Sequence, residues 1–341
     1  MAIHQPNEDE DANNLIAEYE RIGLSGKPFK NVRYYAPFND NKGVTSYLPD
    51  DIVKDYLAMG LMKKFKYIYT EDRESIEMLF ADIDDTSQTM DSIISKVIDD
   101  DDADFSEIST WNDFLKKVSD LAAGNSTGAK EIKTVSWRKF LRIIQKALRN
   151  DPMFANRYVA RNKECRLEEE IKKISAGSVS VIDIAKLSTD KQAFVFGDVL
   201  KTVSKLKLGE YDKENVTPPS KIIVFVDELN KYASKDISKD SPILRQILDV
   251  AERGRSLGII LFGAEQFRSN IHPRVTGNCA TAAFGRTNVL ETTNKDYSAL
   301  PSTYKTIMTR LEQGEYLIQN PIFRSLLKIR FPKPIYKQFK D

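Results

Sequence analysis

The chain has 341 residues with 51 basic and 50 acidic side chains, so a net charge of +1 excludes a globally basic or acidic surface as its means of binding partners. Two distant cysteines, Cys165 and Cys279, are typical of a reduced cytoplasmic protein, and two histidines, His4 and His272, do not favour a histidine metal site. No apolar run reaches about 18 residues, and the acidic N-terminus "MAIHQPNEDEDANN" lacks an apolar signal core, so we expect neither a membrane span nor export.

Residues 1–48 are expected to be largely irregular, with two regular pieces. The stretch "LIAEYERIGL" predicts a short helix that ends at Gly23. The stretch "NVRYYAPF" (31–38) is β-branched and aromatic and is followed by the turn "NDNKG", so it predicts a strand.

From Leu48 to about Asn156 the spacing of apolar residues predicts helices. The stretch "PDDIVKDYLAMGLMKKF" opens with proline and acids, as helix N-termini do. Further amphipathic stretches are "ESIEMLFADI", "MDSIISKVI", "TWNDFLKKVSDLAAG" and "WRKFLRIIQKALRN". This region predicts an all-helical domain over 49–160.

Two charged stretches of that region have alternative readings. Segment 81–110 carries ten acids and Lys96, which favours a solvated acidic loop over a metal site or a nucleic-acid mimic. The last helix has a basic face, which we interpret as an exposed helix flank rather than a contact with a phosphate backbone. The basic residues are Arg138, Arg142, Lys146 and Arg149.

From about Ala176 the chain alternates between predicted strands and helices. The strands are "GSVSVIDIAKL", "KIIVFVDE", "IILFGAEQ" and "ATAAFGRT", the helices are "DKQAFVFGDVLKTVSKLKLG" and "SPILRQILDVAERGRSLG", and "EYLIQNP" and "SLLKIRF" form a terminal hairpin. Because the strands are nearly continuous apolar runs, the pattern predicts an α/β fold with a mostly parallel sheet flanked by helices.

Polar residues follow three of these strands. They are Asp227 with Glu228, Glu265 with Gln266, and Gly285 with Arg286, and the helix between the first two strands ends with Arg253 and Arg255. Ligands of parallel α/β sheets sit beyond the carboxyl ends of the strands, so we expect these side chains to converge on one edge of the sheet.

This set of side chains suits phosphoryl transfer to water. One carboxylate holds Mg²⁺, the next orients or deprotonates the attacking water, a glutamine senses the γ-phosphate, and an arginine stabilises the charge that builds on it. Taken singly, "VFVDE" has the alternative reading of a strand that happens to end in acids, and Gln266 that of a polar strand cap. Their conjunction in this order favours a catalytic site.

Two stretches resemble the C-terminal half of HerA-type ATPases, RecA-like motors of the HerA/FtsK superfamily. They are "IIVFVDELNKYA" and "AERGRSLGIILFGAEQFRSNIHPRVTGNCATAAFGRTN"; "VSVIDIAKLS" is similar to the strand before the Walker B motif of that family, and "NVRYYAPF" is weakly similar to a segment after its first core strands. The resemblance covers about 176–335. It implies a RecA-like core over 161–341, a partial N-terminal part of that core in 1–48, and a helical insertion over 49–160.

The resemblance also implies residue roles and the cofactors ATP and Mg²⁺. Asp227 and Glu228 match the Walker B pair, in which Asp227 holds Mg²⁺ through water and Glu228 is the catalytic base or orients the water. Gln266 matches the sensor glutamine. Arg253 and Arg255 are both candidates for the arginine finger that reaches a neighbouring subunit's nucleotide.

A phosphate loop of the form G-x-x-x-x-G-K-[ST], whose amides and lysine hold the β- and γ-phosphates, is absent from the sequence. "GLSGKPF" (23–29) has proline where Ser or Thr should ligate Mg²⁺, and "GNSTGAKE" (124–131) has the wrong spacing. In the family this loop precedes the part that resembles residues 1–40. The chain is therefore expected to be either the C-terminal portion of a split or truncated ATPase or a degenerate paralogue.

The resemblance implies a DNA-handling ring. A finger that completes the next subunit's site implies a head-to-tail homo-oligomer, a hexamer in the full-length protein. Arg286 matches the arginine of an "R-T-N" element and is assigned to nucleotide binding. The family threads double-stranded DNA through its ring and often docks a nuclease or another effector; the stretches 201–207 and 138–149 are candidate DNA contacts, and 50–160 a candidate effector-binding or capping element.

Two other functions remain open at this point. A non-hydrolysing ring or scaffold subunit would keep the interface and lose turnover. The presence of all the candidate site residues argues against it, because each of them could be replaced at no cost to folding. A coupling protein of the same superfamily is less favoured, because such proteins usually carry membrane spans. The biological setting, repair or defence against phage, is not indicated by the residues.

Overall fold

The computed structural model describes residues 2–7, 12–81, 83, 88–99, 102, 104–124, 132–211 and 216–337. Much of the predicted acidic loop of 81–110 and most of the segment 124–131 lie outside the described residues.

The described part of the chain alternates between strands and helices over most of its length. Its strands are β1 (Ala2–Pro6), β2 (Asn31–Asn39), β3 (Gly43–Val44), β4 (Met62–Phe65), β5 (Tyr67–Ile68), β6 (Phe154–Ala155), β7 (Glu164–Cys165), β8 (Ser178–Ile182), β9 (Ile222–Val226), β10 (Ile259–Gly263), β11 (Ala282–Phe284), β12 (Glu315–Gln319), β13 (Leu327–Arg330) and β14 (Tyr336–Lys337).

The helices complete the set of elements. They are α1 (Ala12–Arg21), α2 (Asp50–Ala58), α3 (Tyr69–Asp72), α4 (Thr89–Ile98), α5 (Trp111–Ala123), α6 (Thr134–Leu148), α7 (Leu167–Ile171), α8 (Thr189–Leu208), α9 (Asn230–Ala233), α10 (Pro242–Leu257), α11 (Pro273–Asn278), α12 (Val289–Thr292) and α13 (Ser302–Met308). A long 3₁₀ helix, Arg73–Phe80, follows α3 directly. In the described residues, none of the helices is both long and apolar enough to cross a lipid bilayer.

The first sheet is built on β2, the strand predicted at 31–38. Four strands run parallel in the order β8-β2-β4-β7, and β3 pairs antiparallel with the end of β2. The helix predicted from Pro49 to Phe65 is wrong beyond Ala58. Gly60 takes a left-handed backbone (φ 69°) that ends α2, and the chain then pairs with β2 as β4, in which Met62 and Phe65 are fully buried. The region 49–160 is therefore not all helical.

The later strands form two further groups. β9 and β10 pair in parallel, in register from Ile222 opposite Ile259 to Val226 opposite Gly263. β11, β12 and β13 form an antiparallel sheet whose last two strands are the predicted terminal hairpin. α8 and α10 match the two predicted helices, and α10 is capped by Gly258, which has φ 73°.

One large hydrophobic core joins the helical region to the strands of the second half. It runs from the aromatic side chains of α5 and α6, among them Trp111, Phe114, Trp137 and Phe140, through the 3₁₀ helix to α8, α10 and the buried faces of β9 and β10. The amphipathic pattern explains this arrangement, because α5 and α6 each turn one apolar face inward. The helical region therefore stabilises the strands that carry the candidate site.

A buried polar cluster lies where α8 meets the 3₁₀ helix. Asp198 accepts hydrogen bonds from Tyr67 Oη at 3.2 Å and Ser75 Oγ at 2.6 Å. Nearby, Asp72 is ion-paired with Arg166 Nη2 at 2.7 Å. Burial, followed by repulsion from the Asp72 carboxylate, raises the pKa of Asp198 to about 7.

Asp198→Asn is expected to remove a pH dependence of stability. The carboxyl of an unfolded chain titrates near pH 4, whereas the buried one titrates near 7. Between these values the folded protein keeps a proton that the unfolded chain has lost, so the free energy of unfolding falls as the pH rises. At pH 8 the variant should be more stable than wild type, on the order of 1 kcal/mol, in urea unfolding followed by circular dichroism.

The matched control is Asp120→Asn on the exposed side of α5, which should leave the pH profile unchanged. An Asp198→Asn profile with the same slope as wild type between pH 4 and pH 7 would contradict the assignment.

Candidate functional site

The loops that follow β9 and β10 are held side by side. The backbone N–H of Ala264 donates to Val226 O at 2.8 Å, and that of Leu229 donates to Ala264 O at 3.1 Å. Gly263 permits this approach, because a Cβ there would lie 2.4 Å from Leu229 Cδ2, and Leu229 is itself buried. The structure thus brings Asp227 and Glu228 to the same sheet edge as Glu265 and Gln266.

Glu265 organises this edge. One carboxylate oxygen, Oε2, accepts from the backbone N–H of Asn230 at 2.8 Å. The other, Oε1, accepts from Gln266 at 2.6 Å and from Phe267 at 3.3 Å. The sequence places Glu265 at a strand end without giving it a role, because its backbone donors become visible only in the structure. Carboxylates bond such donors strongly.

Glu228 has an unusual backbone. Its φ of 53° lies in the left-handed region, which a side chain with Cβ enters at a cost of about 1 kcal/mol or more. Its N–H donates to Asp227 Oδ1 at 3.0 Å, and its carboxylate is ion-paired with Lys231. Both acids are exposed at the strand end. Strain of this kind is found at functional positions, where the geometry is held for a purpose other than stability.

Asp227 is a suitable ligand for Mg²⁺. This ion takes one or two protein carboxylates and completes its octahedron with water and substrate phosphates. The exposed carboxylate of Asp227 meets that requirement. Within the described ranges no group of three or more His, Cys, Asp or Glu side chains could hold a metal by itself, so a metal here would depend on the phosphates.

Arg253 and Arg255 do not converge with the carboxylates of the same chain. They lie in the last turns of α10, which ends just before β10 begins, whereas Glu265 follows the end of β10. The five residues of β10 span about 13 Å. The expectation that these arginines share one sheet edge with the carboxylates is therefore wrong. Arg253 is instead ion-paired with Asp249 at 2.8 Å.

Arg286 lies on a segment that is tied to the end of β10. The guanidinium of Arg268, which follows β10, sits 5.6 Å from the ring centre of Phe284 at the end of β11. Next to it, Ser269 donates to buried Glu291 from its N–H (3.0 Å) and its Oγ (2.8 Å). Arg286 follows Phe284 by two residues and is exposed, so its position suits a contact near Gln266.

The stretch 201–207 is engaged within the protein. Lys201 and Lys205 both pair with Glu74, at 3.4 and 3.0 Å, and Lys207 Nζ donates to the carbonyl oxygens of Pro219 and Ser220. These contacts favour a structural role over DNA binding.

Two members of the basic face of α6 are engaged as well. Arg138 Nε donates to Ala122 O at 3.0 Å, and Lys146 is ion-paired with Asp190. These contacts favour an exposed helix flank over contact with a phosphate backbone.

The cavity beside Glu228 is small. Its volume is 270 Å³, and it is lined by Asn230, Lys231, Ser234, Asp236, Ile237 and Ser238. Sites that enclose small ligands measure about 300–1,000 Å³. Among the described residues, the carboxylates of Asp227 and Glu228 therefore lie at an open edge beside a cavity that is smaller than such sites.

Comparison with solved structures identifies the fold. The plasmid coupling protein TrwB, in complex with the non-hydrolysable ATP analogue ADPNP, superposes with a TM-score of 0.52 at 10% identity, over 90% of this chain and 80% of TrwB. The chain has the fold of TrwB. This likeness confirms the predicted α/β class with a RecA-like, mostly parallel sheet flanked by helices.

A second solved structure matches less of the chain. The genome-packaging NTPase B204 from Sulfolobus turreted icosahedral virus 2, in complex with ATP-gammaS, matches 48% of this chain and 71% of its own, with a TM-score of 0.34 at 15% identity. No protein-family model and no curated protein matches the sequence.

Replacing Glu228 with glycine should give a more stable protein than replacing it with alanine. Both changes remove the exposed ion pair with Lys231, which is worth at most about 1 kcal/mol. Only glycine relieves the left-handed backbone, so the difference in free energy of unfolding should be about 1 kcal/mol in favour of glycine. Urea unfolding measures it.

Asp227 supplies the matched control, because its φ is not positive. There the order should reverse, with Asp227→Ala more stable than Asp227→Gly. If alanine were more stable than glycine at both positions, the backbone at Glu228 would not be strained.

Proposed function

We propose that this chain is the hydrolytic part of an ATP-driven, HerA-type DNA translocase or helicase. The observation that carries the proposal is the junction of the two strand ends, which sets Asp227 and Glu228 beside Gln266, with Glu228 in a strained backbone. TrwB, which shares the fold, is a plasmid coupling protein that binds an ATP analogue.

Each residue has a distinct role in this proposal. Asp227 holds Mg²⁺, which when bound shields the phosphate charge and orients the phosphates. Glu228 accepts the proton of the attacking water or orients that water, and Gln266 reports on the γ-phosphate. Glu265 holds the two loops together, so it is a positioning residue. Arg286 contacts the nucleotide from the segment after β11.

Arg253 and Arg255 act on the nucleotide of a neighbouring subunit. Their position at the opposite end of β10 rules out a contact with Glu228 of the same chain and suits a finger that works in trans. A head-to-tail interface of this kind closes into a ring, and we propose a homo-hexamer that encircles double-stranded DNA. The region 49–160, which carries β4, β5 and β6 as well as helices, would dock a nuclease or another effector.

In this proposal the grip on the phosphates comes from a segment with a phosphate loop that lies outside residues 1–341. Its absence from the sequence and the open edge beside Glu228 support this division of the site. The whole assembly is proposed to work in the cytoplasm, with residues 1–48 and 161–341 forming this chain's share of the ATPase core.

A non-hydrolysing ring or scaffold subunit is the second candidate. One observation favours it: Lys231 is ion-paired with the carboxylate of Glu228, which is the group that hydrolysis requires. In the hydrolytic account this ion pair opens when nucleotide binds. A scaffold would keep it in every state.

Glu228→Gln is expected to lower ATP hydrolysis by at least about a hundredfold, since it removes the general base. Hydrolysis is measured for the chain together with the phosphate-loop polypeptide, under saturating Mg²⁺ and ATP. Nucleotide binding should remain, which separates a loss of chemistry from a loss of affinity.

The control is Glu20→Gln at an exposed position on α1, which should hydrolyse ATP at the wild-type rate. Hydrolysis by the chain alone, abolished by Glu228→Gln, would contradict the missing phosphate grip. No hydrolysis in any combination would favour the scaffold.

A further inference from the structure

Glu291 is a buried acid to which the proposed function gives no role. It lies on α12 with 6% of its surface exposed. Its carboxylate accepts two hydrogen bonds from Ser269, from the N–H at 3.0 Å and from Oγ at 2.8 Å, and one from Asn294 Nδ2 at 2.9 Å. Among the described residues it has no ion pair. A buried carboxylate without a cation is costly unless hydrogen bonds satisfy it, so Ser269 is its main partner.

Ser269 is tied closely to Gln266, the proposed sensor of the γ-phosphate. It lies three residues after Gln266, in a short 3₁₀ helix. The chain between them is turned and bonded: the N–H of Phe267 donates to Glu265 Oε1 at 3.3 Å, and the N–H of Asn270 donates to Phe267 O at 3.1 Å. A displacement of Ser269 therefore reaches Gln266 with little slack.

Glu291 is tied in a similar way to Arg286, which precedes it by five residues. Between them, the side chain of Asn288 caps the first turn of α12. The N–H of Thr287 donates to Met308 O at 3.2 Å, which anchors the same segment to the end of α13. The position of Glu291 therefore determines where Arg286 lies.

The bond between Ser269 and Glu291 joins two parts of the protein that pack separately. From β11 onward a hydrophobic cluster of its own contains Phe284, Tyr297, Leu300, Met308, Leu311 and Leu317. Ile271, which follows Ser269 by two residues, belongs to the main core. Among the described residues, β11 pairs with β12 and not with β9 or β10. Since no strand ladder crosses this boundary, directional polar contacts such as this bond hold the two parts in register.

We propose that Glu291 is a positioning residue, which acts through Ser269 to hold Gln266 and Arg286 at a fixed separation around the γ-phosphate. The inference rests on the proposed function and adds the group that sets the geometry between these two side chains. Gln266 meets the γ-phosphate with its amide and Arg286 with its charge, so both must be in place in the transition state. A misplacement of about 1 Å can lower the rate about a hundredfold.

The test is Glu291→Met in the complex of the chain with the phosphate-loop polypeptide. Methionine has a similar length and no oxygen acceptor, so the bond to Ser269 is lost. We expect kcat for hydrolysis of Mg²⁺-bound ATP to fall at least about twentyfold while KM changes by less than about twofold, since the lost geometry matters in the transition state.

Glu291→Gln should restore kcat to within about fivefold of wild type. Its remaining oxygen can accept from the N–H of Ser269, and the hydroxyl of Ser269 can turn to accept from the new amide. A kcat for Glu291→Met within about threefold of wild type, or a loss that glutamine does not relieve, would overturn the proposal.

The matched control is Glu164→Met on the first sheet. Glu164 is equally buried, at 6%, and accepts from Val159 N–H at 2.8 Å and Lys66 Nζ at 2.9 Å. Its replacement should lower stability in urea unfolding and leave kcat unchanged, with all rates measured where the variants are folded. An equal loss of kcat in both methionine variants would show a general effect of packing and refute the positioning role.

Ser269→Ala decides the question if Glu291→Met does not fold. It removes only the hydroxyl and should lower kcat at least about threefold with KM unchanged. A wild-type kcat in this variant would overturn the proposal.

Amide hydrogen exchange in the chain alone tests the bond without hydrolysis. Because the N–H of Ser269 is buried and bonded to Glu291, exchange in the peptide that covers 267–271 should be at least about tenfold faster in Glu291→Met. It should keep the wild-type rate in Glu164→Met. Unchanged exchange in Glu291→Met would contradict the proposal.

The two measurements separate this inference from the proposed function. Hydrolysis that depends on Glu228 and not on Glu291 would refute the inference alone. No hydrolysis by the wild-type complex would refute the proposed function and the catalytic consequence of Glu291 with it, and faster exchange would then show a bond that only holds the fold.

Discussion

The parallel pairing of β9 with β10 is the constraint on which the candidate site depends. It brings the two carboxyl ends to one edge, where the backbone bonds between Leu229, Ala264 and Val226 lock the following loops together. Glu265 then ties three backbone N–H groups to one carboxylate. The core beneath the pair includes the helical region, so the packing of α5 and α6 also supports the site. The strained backbone of Glu228 is held by these surroundings.

The same pairing leaves the pair incomplete. One face is packed on the core, and the other presents phenylalanine side chains to solvent beside an unpaired edge. Apolar exposure, free backbone groups and excess negative charge all occur at one place.

Much of the second half of the chain could be predicted from the sequence, because apolar strands alternating with amphipathic helices give a strong periodic signal. β4 could not: "MKKF" continues a helical pattern, and only its pairing with β2, after Gly60 ends α2, makes it a strand. The acidic pair and Gln266 were visible as residues that follow strands. Arg253 and Arg255 lie at the other end of β10, because the direction of α10 relative to the sheet, and not sequence proximity, decides which end they occupy. The role of Glu265 depends on backbone donors that no sequence pattern displays.

The most direct measurement is calorimetric titration of the chain alone with Mg²⁺ and ADPNP. The central claim is that the chain holds the groups for hydrolysis but not the grip on the phosphates. It predicts no saturable binding up to millimolar nucleotide, because the described residues at the acidic edge are carboxylates and Lys231, whose ammonium group is paired with Glu228. Saturable binding with a micromolar dissociation constant, lost in Asp227→Ala, would contradict it.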